Sequence, residues 1–135
     1  LPGKHWLAFY YNSRDRSIDY FDSFGLPLSF YRFVSSNFGG INLKVNTINR
    51  RGMLQSATST ACGYYCILYL QLAGRYMNGA IAVEQIDKLG RDSAMRDTAV
   101  VSKVHNLMHK YDCHKLPQAV CFTRSTQSCC AHARI

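Results

Sequence analysis

Cys62 stands at the head of an apolar run, "TACGYYCILYLQLAG", directly after Thr60-Ala61 and directly before Gly63. A thiol at that place could do nucleophilic chemistry. The unpaired N–H groups and the positive end of a helix dipole favour thiolate, the reactive form. Cys66 lies one helical turn further on, facing the core, and is expected to be inert. A cysteine nucleophile also needs a base, a group to orient that base, and donors for the developing oxyanion. His5 is the only one of the five histidines in the N-terminal half of the chain, and it is the candidate base. Asp22 is its candidate orienter. The backbone N–H of Cys62 and the side-chain amide of Gln55 are candidate oxyanion donors, Gln55 being the only side-chain amide between Arg50 and Cys62. Each of these residues also has a plain reading: a surface histidine, a turn aspartate, a solvated loop glutamine and a core thiol. Their joint order lifts the chemical reading above the plain one.

The elements that must position these groups follow from local pattern. "HWLAFYY", residues 5–11, is aromatic and predicts a strand. Residues 12–17 are turn-forming, and residues 18–21 form a returning strand that Gly25-Leu26-Pro27 ends. If Tyr11 pairs with Ile18, Leu7 lies opposite Asp22 and His5 opposite Phe24. His5 and Asp22 are then diagonal neighbours on one face, within hydrogen-bond reach. A slip of one residue would put them on opposite faces. Phe30, Phe33, Val34 and Phe38 recur at helical spacing, with Ser29 as N-cap and Gly39 as stop. Residues 43–48 alternate as a further strand, and residues 49–60 read as a loop. From Cys62 to Met77 the chain is apolar nearly all round, which predicts a buried central helix ended by Asn78-Gly79. A short helix over 81–89 follows. A last helix, capped by Asp92 or Ser93, reaches Tyr111, with Val100, Val104, Leu107, Met108 and Tyr111 inward. Gly63 is expected to let the backbone turn tightly beside the sulfur. The fold class is therefore α+β, a small mixed or antiparallel sheet packed on a central helix that carries the nucleophile. Residues 1–117 form the domain and residues 118–135 an irregular Cys-rich tail.

Composition narrows the function classes. At 135 residues and 47% hydrophobic content the chain is long and apolar enough for one packed domain. The net charge of +8 favours a polyanionic partner, nucleic acid or an acidic protein surface. The basic residues are scattered, with Arg50-Arg51 the one adjacent pair. No apolar run reaches membrane-span length, and the opening residues do not read as a secretion signal. Free thiols in a reducing, intracellular compartment are expected. A zinc site is the rival chemistry. His105 and His109 are four apart on a predicted helix, and Cys113, His114, Cys121, Cys129, Cys130 and His132 follow. Their spacings match no standard zinc pattern, so no metal is expected.

The segments "GKHWLAFYYN", "YFDSFG" and "LQSATSTACGYYC" together resemble the adenovirus-type cysteine proteases and the related proteases that remove SUMO-like modifiers. The order His, acidic residue, Gln, Cys is the family's. The spacing from Gln55 to Cys62 and the "YFDSFG" phrase are closer to the adenoviral branch, which large DNA transposons of the Maverick or Polinton type also encode. The resemblance implies a papain-like, circularly rearranged fold. It implies His5 as general base, Asp22 as its orienter, Cys62 as nucleophile and Gln55 as oxyanion donor, with Trp6 and Gly63 beside the substrate. It implies a cysteine endopeptidase cutting viral-type polyproteins near small residues and glycine. The alternative activity is deconjugation of a ubiquitin-like modifier, and the alternative of another class is an inactive basic remnant that only binds. The family has a substantial segment before the position of His5, so an N-terminal segment is expected to be missing here. An activating peptide and DNA are cofactors of the family. No cysteine precedes Cys62, which disfavours a disulfide-tethered peptide. A protein or peptide substrate, nuclear or virion-like location and a monomeric state complete the expectation.

Overall fold

A computed structural model of the chain describes residues 4–32 and 42–110. Among the described residues the order is β1 (Ala8–Asn12), β2 (Ser17–Phe21), a 3₁₀ turn (Leu28–Phe30), β3 (Lys44–Thr47), α1 (Cys62–Tyr76), α2 (Gly79–Asp87) and α3 (Ser93–Lys110). The fold is a small α+β domain. Its three strands lie in the order β1-β2-β3, with β1 antiparallel and β3 parallel to β2, so the sheet is mixed.

Tyr11 pairs with Ile18, and Ala8 with Phe21. This is the register the turn sequence implies. The ladder begins at Ala8 rather than His5, so His5, Trp6 and Leu7 precede the strand instead of opening it. β2 is central and covered on both faces, with Tyr20 and Phe21 fully buried. Side chains alternate along a strand, and these two residues therefore anchor opposite faces. Phe21 stacks on Tyr69 of α1, centroids 4.4 Å apart and rings 5° from parallel. Tyr20 lies against Phe9 of β1, and its hydroxyl donates to the Leu26 carbonyl.

α1 packs against β1, α2 and α3. Tyr65, Cys66, Leu68, Tyr69 and Ala73 form its buried face, together with Leu54, Ala82, Val83, Ile86, Val100 and Val104 from elsewhere. The helix is not buried all round: Ile67 is 41% exposed, and Gln71 and Gly74 face solvent. An apolar run does not reveal which side lacks a neighbour. α1 ends on Met77, whose left-handed backbone (φ 52°) closes the helix. Asn78 serves both helices: its N–H donates to the Ala73 carbonyl at 3.2 Å, and its side chain opens α2 by accepting from the Ile81 N–H. Helix α2 thus starts two residues earlier than its hydrophobic pattern suggests. Asp92 caps α3, accepting from the Met95 N–H at 2.8 Å. Val100 and Val104 point inward and Leu107 packs at the rim, but Met108 is 42% exposed and lies off the inner face. Ser29 sits inside the 3₁₀ turn that Pro27 precedes, so it is not an N-cap. The remainder of that expected helix (Phe33, Val34, Phe38, Gly39), Tyr111 and the tail over 118–135 lie outside the described residues.

Candidate active site

Asp22 follows β2 directly and is almost wholly buried, at 1% exposure. A buried carboxylate needs several donors, and Asp22 has four. Its Oδ1 accepts from His5 Nε2 at 2.7 Å and from the Phe24 N–H at 2.9 Å. Its Oδ2 accepts from the Leu26 N–H at 3.1 Å and the Tyr31 hydroxyl at 2.9 Å. The "SFG" turn after Asp22 folds its own backbone donors onto the carboxylate, as short Asp-led turns do. Asn49 holds the Asp22 backbone in turn, donating to its carbonyl at 2.7 Å.

With Nε2 bonded to Asp22, the other ring nitrogen of His5 is left for the thiol. Phe24 stacks on the imidazole at 4.8 Å and Tyr31 at 5.9 Å, both within 25° of parallel. The ring is thereby oriented by a carboxylate and by aromatic faces together. Burial works against its charge, but the bond to Asp22, the contact with Cys62 and the negative charge of both outweigh it. The imidazole is raised from 6.5 to about 9. Burial also opposes the Cys62 thiolate. The His5 ring, the backbone of Trp6, the positive charge on His5 and the backbone of Gly63 reverse that balance and lower the thiol below its ordinary value. Cys62 is the first residue of α1, preceded by Ala61, so its sulfur sits where helix N–H groups lack intrahelical partners. Cys66, one turn inward, has only burial and neighbouring negative charge acting on it, and both push its thiol up. The two cysteines of one helix are thus opposite in chemistry.

Gln55 is fully buried, not a solvated loop residue. Its Oε1 accepts from the Ser23 hydroxyl at 2.7 Å, and its Nε2 donates to the Ser59 carbonyl at 2.7 Å. Its backbone N–H donates to the Ser23 carbonyl. The amide therefore joins the segment after Asp22 to the loop that leads into Cys62. One Nε2 hydrogen is spent on Ser59, and the amide carries a second.

Trp6 covers the start of α1. A Cβ built on Gly63 would lie 3.5 Å from Trp6 Cδ1, an ordinary contact. Gly63 is helical and has no positive φ, so it makes no tight turn, and the expected backbone role is corrected to one of packing. Trp6, Gly63, Thr60, Tyr64 and Ile67 line an open concavity of about 290 Å³ beside the start of α1.

Ser23, Tyr31 and Asn49 enter the site unannounced by the sequence reading, and Phe24, expected opposite His5, stacks on its ring. Ser23 and Phe24 lie within the quoted "YFDSFG" phrase, so their proximity was available there. Tyr31 and Asn49 carry no such signal. Among the described residues no group of three or more His, Cys, Asp or Glu could hold a metal ion. His105 lies beside the Tyr64 ring and, like His109, is exposed. The remaining cysteines and histidines of the rival zinc reading lie outside the described residues. No described helix is long and apolar enough to cross a membrane. No family model, curated protein or solved structure matches the chain.

Proposed function

We propose that this chain is a cysteine endopeptidase of the papain-like, adenovirus-type architecture. Cys62 is the nucleophile, His5 the base and Asp22 its orienter. One observation carries the reading: a buried carboxylate, 2.7 Å from one imidazole nitrogen, holds that ring against a thiol at a helix start. The thiolate–imidazolium pair such a geometry favours is a nucleophile and a general acid in one unit.

In the proposed reaction the Cys62 sulfur adds to a peptide carbonyl carbon. The carbonyl electron pair moves to oxygen, where the Cys62 N–H and the second Gln55 amide hydrogen receive it. His5 then gives its proton to the leaving amine, the C–N bond breaks, and a thioester remains. Water, deprotonated by His5, hydrolyses the thioester and restores the thiol. Trp6 and Gly63 flank the substrate. By resemblance the substrates are polyprotein segments with small residues and glycine near the cut.

A peptide probe ending in glycine with a thiol-reactive group tests the reading. Labelling of the wild type that is lost in both Cys62→Ala and His5→Ala supports it. Equal labelling of Cys62→Ala assigns the reaction to other thiols and ends it. Cleavage of ubiquitin-like fusions in preference to polyprotein peptides would move the substrate class to modifier removal, with the same chemistry.

A further inference from the structure

Two consecutive residues of α3 grip the chain on both sides of Gln55. Arg96, only 8% exposed, donates from Nη1 to the Leu54 carbonyl at 2.8 Å. Its other nitrogens bond the Asp87 and Gly90 carbonyls and the Asp87 carboxylate. Asp97 accepts from the Ser56 hydroxyl at 2.7 Å, from the Ser56 N–H at 3.2 Å and from the Tyr65 hydroxyl at 2.8 Å. Leu54 and Ser56 are the residues immediately before and after Gln55. Ser23 holds Gln55 itself, through both its side chain and its backbone. No other stretch of this loop receives so many charged and buried bonds from a distant helix among the described residues.

We infer that Asp97 is a positioning residue for the oxyanion amide, acting through Ser56 to fix the direction in which the Gln55 NH₂ points. The inference rests on the peptidase reading above. Arg96 fixes the position of the Leu54 side of the loop. Asp97 fixes its rotation, because its bonds to the N–H and hydroxyl of Ser56 define an orientation as well as a distance. A donor must lie about 2.7–3.1 Å from the developing oxyanion, and be placed to within about half an ångström, to be effective. Asp97 does not touch Cys62 or His5 in any contact among the described residues, so its loss should leave thiolate formation intact.

The experiment compares wild type, Asp97→Asn, Gln55→Ala and the double variant of the full chain, in two reactions. A peptide aldehyde ending in glycinal reports on the oxyanion site. The Cys62 sulfur bonds to the aldehyde carbon, the carbonyl pair moves to oxygen, and that oxygen takes the proton the thiol gives up. Iodoacetamide reports on the thiolate alone: the S–C bond forms, the C–I bond breaks and iodide leaves. Asp97→Asn is expected to weaken the aldehyde about tenfold or more, as loss of one aligned donor does, with alkylation changed less than about twofold. In the Gln55→Ala background the same substitution should cost almost nothing. Ser56→Ala, which removes the hydroxyl bond and keeps the N–H bond, should show an intermediate loss in a fold close to wild type.

A parallel fall of aldehyde affinity, alkylation and melting temperature would make Asp97 merely structural and overturn the inference. So would additive effects of Asp97→Asn and Gln55→Ala. Aldehyde binding indifferent to both Asp97→Asn and Ser56→Ala, in a protein with His5-dependent alkylation, would sink the positioning role alone. Absence of His5-dependent alkylation and of aldehyde binding in the wild type would remove the peptidase reading, and this role with it.

Discussion

Replacing Asp22 by asparagine removes the charge behind His5 with little change in shape. Asp22 takes four hydrogen bonds, two on each oxygen. Asparagine has one acceptor oxygen and an NH₂ in place of the other. If the oxygen stays toward His5 and Phe24, the NH₂ meets the Leu26 N–H. If the amide flips, it meets the Phe24 N–H. The Tyr31 hydroxyl can rotate and accept, but a backbone N–H cannot. One buried donor is therefore stranded either way, at about 1–3 kcal/mol, which corresponds to roughly 3–12 °C in melting temperature for a chain of this size. The imidazolium also loses a charge-assisted bond of about 1.5–3 kcal/mol. That is a factor of roughly 10–150 in the thiolate–imidazolium population. Iodoacetamide alkylation of Cys62, followed by mass spectrometry of its peptide from about pH 5 to 9, reads this population directly. Asp22→Asn should slow the reaction at neutral pH by one to two orders of magnitude and move its rise to higher pH. A variant that melts lower yet alkylates at the wild-type rate across that range would refute any role for Asp22 in activating the thiol.

Cys66→Ala should leave neutral-pH alkylation of the chain unchanged and cost about 1 kcal/mol of stability, whereas Cys62→Ala should abolish the fast phase. His5→Ala should raise the Cys62 thiol toward its ordinary value, so the alkylation curve shifts upward in pH. The raised value of His5 contributes stability that is complete below 6.5 and is lost as pH climbs through about 9. The melting-temperature gap between wild type and His5→Ala should therefore narrow over that window. Gly63→Ala should fold normally, since its Cβ makes an ordinary contact with Trp6, but should discriminate against bulky probes by narrowing the concavity. Gly79→Ala places a Cβ 2.6 Å from the Tyr69 hydroxyl and 2.8 Å from Asp19 Oδ2. It should destabilise the domain by about 1–3 kcal/mol in a denaturant titration, without altering alkylation of the folded protein.

What the sequence disclosed about the site was local or periodic. The turn residues over 12–17 and the aromatic flanks suggest the Tyr11–Ile18 pairing that the hairpin adopts, and His5 and Asp22 meet just beyond the end of that ladder. The start of α1 could be read from the apolar run, and with it the contrast between Cys62 and Cys66. Contacts made across the chain left no local trace. Nothing near residue 97 signals that its carboxylate meets Ser56, and a lone arginine such as Arg96 is ordinarily a solvated residue. The burial of Gln55 was equally hidden, because loop composition reports polarity and not the Ser23 hydroxyl that lets a polar side chain be buried. Helix ends were the other weak point. Asn78 has the composition of a stop, but the turn between α1 and α2 is so short that the same residue serves as a start.

At Gly25 the backbone (φ 70°) passes so close to Gly52 that a Cβ would lie 2.6 Å from the Gly52 carbonyl oxygen; Gly52 itself has φ 84°. Gly25 has no room for a side chain there, whereas Gly52, whose Cβ would meet nothing, is favoured by its left-handed backbone alone; the crossing does no chemistry. Inheritance should therefore treat the glycines and the reactive trio differently. On the peptidase proposal, a descendant that had given up peptide cleavage but still folded would be free to vary His5 and Cys62, yet would have to keep the crossing. On the same proposal, lineages in which the glycines persist while the trio drifts would be retired enzymes, and lineages keeping both would still be under selection to cut.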